Sequence, residues 1–180
     1  MDTQWPRWEV FEQEKPGAPY RSTGSVHAPD AEMALENARD VFARRPRCAG
    51  LWVTQAAALF SRTAEELAGD RPAPEAAGGD PQPYLVFQKQ TQRATETFVT
   101  HVGEVTATSP QAALARALET FSSADVFVWW VCPAAAVTRS AEADVEPMFV
   151  PAESKPYRHP QFYKVMTQLR DIKSRTGESS

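Results

Sequence analysis

One order of features passes along this chain twice, and that repetition limits its fold more than any other property. The segment opening Trp8-Glu9-Val10-Phe11 is answered by Tyr84-Leu85-Val86-Phe87, and each reads as a strand. Gly24-Ser25-Val26-His27-Ala28 then leads to Asp30, as Gly103-Glu104-Val105-Thr106-Ala107 leads to Ser109. Asp30 and Ser109 are natural helix N-caps, because each offers a side-chain oxygen to the unpaired amides of a first turn. Behind them apolar residues recur at helical spacing in both copies, Ala34, Leu35, Ala38, Val41 and Phe42 in the first and Ala113, Leu114, Ala117, Leu118 and Phe121 in the second. A third strand follows in each copy, Gly50 to Thr54 and Val126 to Val131, with Trp52-Val53 matched to Trp130-Val131. An alanine run comes next in both, Ala56 to Ala58 and Ala134 to Ala136.

The fold class expected is α+β: two tandem strand-strand-helix-strand units forming a pseudo-dimer, with a mostly antiparallel sheet, helices on one face and an extended C-terminal tail. The units are placed at residues 1–67 and 84–145, joined by a linker over 68–83 that is rich in proline, glycine and alanine. Residues 146–180 form the tail and a polar C-terminus. The loop between the first two strands is a turn in the first unit, Glu14 to Pro19, and polar and less defined in the second, Gln88 to Thr95. The first helix stops at Arg44-Arg45-Pro46, where arginines suit the negative end of a helix dipole, and the second at Ser122-Ser123. A unit of roughly 65 to 80 residues buries too little surface to be secure alone, so the two should pack together or on a partner.

The five tryptophans, Trp5, Trp8, Trp52, Trp129 and Trp130, are expected as core anchors, since large aromatics dominate apolar burial. Trp129 and Trp130 adjoin on one strand and must face opposite ways, so one of them needs cover from beyond its own helix layer. The formal net charge of −4 argues against a phosphate-backbone binder. No run nears the roughly 20 apolar residues of a membrane span, and no basic-then-apolar leader opens the chain, so a cytoplasmic location is expected. Cys48 and Cys132 stand apart and read as buried, reduced small hydrophobes. His27, His101 and His159 have no spacing that suggests a metal site. The Glu-x-x-His pairs that a diiron bundle uses are absent, as are a GxSxG motif, a phosphate loop and a dinucleotide fingerprint.

Three blocks carry a resemblance: Trp5-Pro6-Arg7-Trp8-Glu9-Val10-Phe11, then Met33-Ala34-Leu35-Glu36-Asn37-Ala38-Arg39-Asp40, then Pro151 through Tyr163. In this order they resemble the phenylacetic acid degradation B family, over about the first 67 residues and the final 30, with the second unit more weakly similar. The resemblance implies a noncatalytic structural subunit of a multicomponent diiron monooxygenase of the phenylacetyl-CoA epoxidase kind. It would carry no cofactor, and would hold together units of the diiron catalytic subunit and its structural partner while a separate flavin and iron-sulfur reductase supplies electrons. Family members are usually single units, so a duplicated chain stands in for a homodimer. Self-association is a further expectation.

The tail concentrates aromatic and basic residues among prolines, a composition enriched at interface hot spots. Composition leaves open whether it wraps its own domain or a partner, and the resemblance favours Tyr157, Arg158, His159, Phe162 and Tyr163 as partner contacts. Asn37 and Arg39 sit on the matching helix block and are expected either as partner contacts or as helix residues with structural bonds. A reading from another class is a free-standing small-molecule binding protein, for aromatic acyl-CoA esters, or a cofactor-poor enzyme with a cleft between the halves.

Overall fold

Trp8 and Val10 point to one side of their strand and Phe11, after a bulge, to the other, so both faces of the first strand are buried against something. The computed structural model describes residues 4–43, 48–72, 79–90, 98–121, 125–144, 147 and 149–150. In chain order these form β1 (Arg7–Gln13), β2 (Arg21–His27), α1 (Ala31–Phe42), β3 (Gly50–Gln55), β4 (Phe60–Thr63), α2 (Ala64–Gly69), β5 (Gln82–Lys89), β6 (Thr100–Ala107), α3 (Pro110–Thr120), β7 (Val128–Pro133) and β8 (Val137–Arg139). Short 3-10 turns cover Ala56–Ala58, Ala134–Ala136 and Glu142–Asp144. The strands make one eight-stranded sheet in the order β4-β7-β5-β6-β2-β1-β3-β8, and every pairing is antiparallel. The molecule is α+β, as the sequence implies.

Local chemistry explains the elements. Asp30 Oδ1 accepts from the Met33 amide at 2.8 Å and Ser109 Oγ from the Ala112 amide at 3.1 Å, so both expected caps start their helices. The Glu14 to Pro19 turn closes with the Ala18 amide on the Lys15 carbonyl, and Gly17 supplies a positive φ of 79°. The two matched glycines have a shared task. Gly24 (φ 146°) and Gly103 (φ 156°) lie under the phenyl rings of Phe42 and Phe121 at the ends of α1 and α3. A Cβ there would stand 2.7 Å and 2.5 Å from a ring carbon, so each helix end can seat on its strand only over a glycine. The helix stops expected at residues 44–46 and 122–123 lie outside the described residues. Among those described, α1 ends at Phe42 and α3 at Thr120.

Each helix covers its own hairpin. Ala34 and Ala38 of α1 meet Trp8, Val10, Val26, Leu51 and Val53, while Ala113, Leu114 and Ala117 of α3 meet Tyr84, Val86, Val105, Trp129 and Val131. Both helices lie on the same face of the sheet. The opposite face carries a third core of Phe11, Trp52, Leu85, Phe87, Val99 and Cys132, with Tyr20, Trp130 and Val137 packed against it. Here the rings of Phe11 and Phe87 stack with centroids 4.4 Å apart, although β1 and β5 are three strand steps apart. In a flat sheet three steps span about 14 Å. The sheet therefore folds over along the β6–β2 seam, and two four-stranded halves face each other with helices outside.

The seam is slight. β2 and β6 share one register pair, Arg21 and Thr100, flanked by the Ser22 amide on the Val99 carbonyl and the His101 amide on the Tyr20 carbonyl, each 2.8 Å. In the repeat Ser22 matches His101 and Tyr20 matches Val99, so each bond is the image of the other across a pseudo-two-fold axis. Phe11 and Phe87, themselves matched, meet across that axis as well.

The repeat did not foretell a fourth strand in each unit, or its destination. β4 of the first unit pairs with β7 of the second, and β8 of the second pairs with β3 of the first. The registers agree: Phe60 faces Val131 as Thr138 faces Val53, and Ser61 faces Trp130 as Arg139 faces Trp52. The segment after each exchanged strand also packs on the other unit, Leu67 of α2 on the α3 core and Phe149 on the α1 core. α2 extends into the stretch expected as linker, through Ala68 and Gly69.

Candidate partner interface

Of the expected contact residues, Tyr157, Arg158, His159, Phe162 and Tyr163 lie outside the described residues. Asn37 and Arg39 are on α1. Asn37 Nδ2 donates to the His27 carbonyl at 3.1 Å, tying the middle of the helix to the end of β2. His27 in turn donates from Nδ1 to the Trp5 carbonyl at 2.9 Å. Arg39 reaches Glu36 at 3.1 Å and Asp40 at 3.0 Å, partly exposed pairs of the kind that add little to stability. Both residues thus have structural bonds, and α1 brings them together on the outside of the first unit.

The tryptophans divide. Trp8, Trp52 and Trp129 are buried, and Trp129 and Trp130 face opposite sides of β7, Trp129 toward α3 and Trp130 toward the inner core. The cover for Trp130 comes from the other unit, where Phe11 meets it edge-on at 6.4 Å. Trp5 is not a core anchor. It stands 58% exposed, because it precedes β1 and its backbone, rather than its ring, is what the hairpin holds.

A ligand cleft between the halves would need room on the inner face, and the centre of that face is filled. Tyr20 stacks on Trp52 at 3.7 Å, and the Arg139 guanidinium, from the exchanged strand, sits 4.9 Å from the same ring. The rings of His101 and Trp52 are 5.2 Å apart, and those of His101 and Phe87 5.3 Å. Phe11, Leu85, Phe87 and Cys132 have no exposed surface at all. Burial pushes the Cys132 and Cys48 thiols up to about 12, which suits inert hydrophobes rather than nucleophiles. Among the described residues no group of His, Cys, Asp and Glu side chains comes together so as to hold a metal ion. Nor is any helix among them long and apolar enough to cross a membrane.

His101 is the one buried side-chain polar atom among the described residues without a hydrogen-bond partner, at Nε2. Burial holds its pKa below the ordinary histidine value, with Arg139 lowering it further and Glu104 and the Gly103 backbone opposing. A folded pKa below the unfolded one means the neutral ring is preferred in the fold. Its contribution is fully present above the unfolded value of about 6.5 and is lost as pH falls through the window below it. Urea midpoints measured from pH 8 down to pH 5.5 should fall more steeply for the wild type than for His101→Leu. Parallel curves would show that the seam is indifferent to this proton.

Two comparisons place this arrangement. The family pattern described as phenylacetic acid degradation B matches residues 4–75 and again 81–170, which covers most of the chain and agrees with the duplication. The chain belongs to that family. A relative from Escherichia coli (strain K12), described as a subunit of 1,2-phenylacetyl-CoA epoxidase, is 45% identical over 62 residues. That match takes in 34% of this chain and 65% of the relative, just under two thirds of the relative's length. No solved structure matches the chain. The second family match runs on to residue 170, so the stretch holding Tyr157 to Tyr163 is family sequence continuous with the second unit.

Proposed function

We propose that this chain is a noncatalytic structural subunit of a multicomponent diiron monooxygenase of the phenylacetyl-CoA epoxidase kind, bridging catalytic units in aerobic phenylacetate catabolism. The observation that carries the reading is the pairing of family membership with an inner core whose centre is occupied by stacked aromatic rings. A relative is a subunit of an epoxidase, and in this chain the interval between the two halves, where a small-molecule site would be sought, is occupied by stacked rings. The outer surfaces remain, and a bridging subunit works through surfaces. The units at 1–67 and 84–145, with the linker at 68–83, would then supply in one cytoplasmic polypeptide what two single-unit copies would otherwise form. The tail from 146 onward would reach the partners through Tyr157, Arg158, His159, Phe162 and Tyr163, with Asn37 and Arg39 contributing from α1. The partners are the diiron catalytic subunit and its own structural partner. Coexpression with both tests the reading: the chain should comigrate with them on size exclusion, and leaving it out should reduce phenylacetyl-CoA-dependent oxygen uptake. A chain that neither comigrates nor alters uptake would sink the proposal.

A further inference from the structure

Four of the five large apolar side chains exposed among the described residues belong to the layer around α1. Met33 and Val41, each 45% exposed, lie four residues to either side of Asn37 and form one stripe along the helix. Val150, 47% exposed, follows Phe149, which is buried in the α1 core. Trp5 joins the same layer through the chain of bonds from its carbonyl to His27 and from the His27 carbonyl to Asn37.

The duplication provides an internal reference for this stripe. In the repeat Met33 matches Ala112 of α3, which is 2% exposed, and Val41 matches Thr120. One fold thus carries an apolar outer stripe on one helix and not on its twin, so packing of the unit does not require it. Single exposed apolar residues need no explanation, but a cluster left open on one of two matched helices, where the other buries the matching alanine in its core, marks a surface that something covers. Charge narrows what covers it. α1 and its cap carry four carboxylates, Asp30, Glu32, Glu36 and Asp40, against one cation, Arg39. That excess repels nucleic acid and anionic lipid, and a second copy of the same face would set carboxylates against carboxylates.

We infer that the outer face of α1 is a docking surface for a partner protein subunit whose own face is apolar and bordered by lysine or arginine, and that each chain offers one such surface where its pseudo-symmetry would suggest two. The inference rests on the subunit reading above and adds the surface, its chemistry and its number. Capture experiments with the full chain, coexpressed with the diiron subunit and its structural partner, test it. The double variant Met33→Asp/Val41→Asp should weaken association at least about tenfold, the scale of a hot-spot loss. Thr120→Asp, its matched change on α3, should leave association as it was. Circular dichroism and melting temperature establish that both variants fold, and the milder Met33→Ser serves if the double variant does not. Equal capture of wild type and double variant, or equal weakening by Thr120→Asp, overturns the inference and leaves the subunit reading intact. A wild-type chain that captures neither subunit overturns the subunit reading itself. If the isolated wild type dimerises and the double variant does not, the occupant is a second copy, and the partner assignment falls.

Discussion

Phe87→Ala should lower the unfolding free energy by about 3–5 kcal/mol, the cost of removing a fully buried ring from a core whose surroundings only partly relax into the gap. Phe87 has no exposed surface and stacks on Phe11 where the two halves meet. The loss falls on the contact between the halves rather than on either helix layer, because Phe87 and Phe11 both belong to the inner core. Phe11→Ala should cost a similar amount, and the double variant should recover about 0.5–1.5 kcal/mol of the sum through the lost stacking. Urea unfolding of the four proteins in the cycle is the measurement. Additive losses would mean that the rings are neighbours without being coupled.

Separating the chain between residues 78 and 79 should leave two fragments that are each largely unfolded alone and regain the native spectrum when coexpressed. The exchange of strands is the reason. Without the second fragment, β3 loses β8, and β4 loses the β7 edge on which it forms. Ser140, whose hydroxyl accepts from the Leu51 amide at 3.0 Å, is lost with it, as is the Ala136 carbonyl that receives the Thr54 hydroxyl at 3.0 Å. Thr54 is fully buried in the whole chain, and in the separate fragment its hydroxyl exchanges that carbonyl for water. Each fragment would also bare its share of the inner aromatic core. Amide dispersion in NMR spectra, fragment by fragment and then together, would decide. A fragment that is folded and monomeric alone would mean that the exchange adds little.

Much of this arrangement is legible in the residues because its signals are local. The caps at Asp30 and Ser109 need only a side-chain oxygen and three following residues, and the opposed directions of Trp129 and Trp130 follow from strand geometry. β4 and β8 are not legible, since Phe-Ser-Arg-Thr and Val-Thr-Arg are too short for alternation to register. Their destination is harder still, because each is stabilised by an edge in the other unit that no local pattern names. Trp5 shows the opposite error: its size suggests burial, but position before β1 decides against it. The α1 surface is legible only in part. The Asn37 and Arg39 block is evident in the sequence, whereas the exposure of Met33 and Val41 beside it emerges only when α1 and α3 are seen in their layers.

The register pair of Arg21 with Thr100 lies on the pseudo-two-fold axis. In an assembly of two identical chains, a residue on such an axis meets its own copy, and every substitution there arrives in duplicate. Arginine would face arginine across adjacent strands, a like-charge arrangement that destabilises. Joining the units in one polypeptide removes that constraint, so arginine can face threonine at the seam and one outer helix can become apolar while its twin stays small and polar. A point mutation in this chain changes one side of the molecule, and the two sides are free to take up different work.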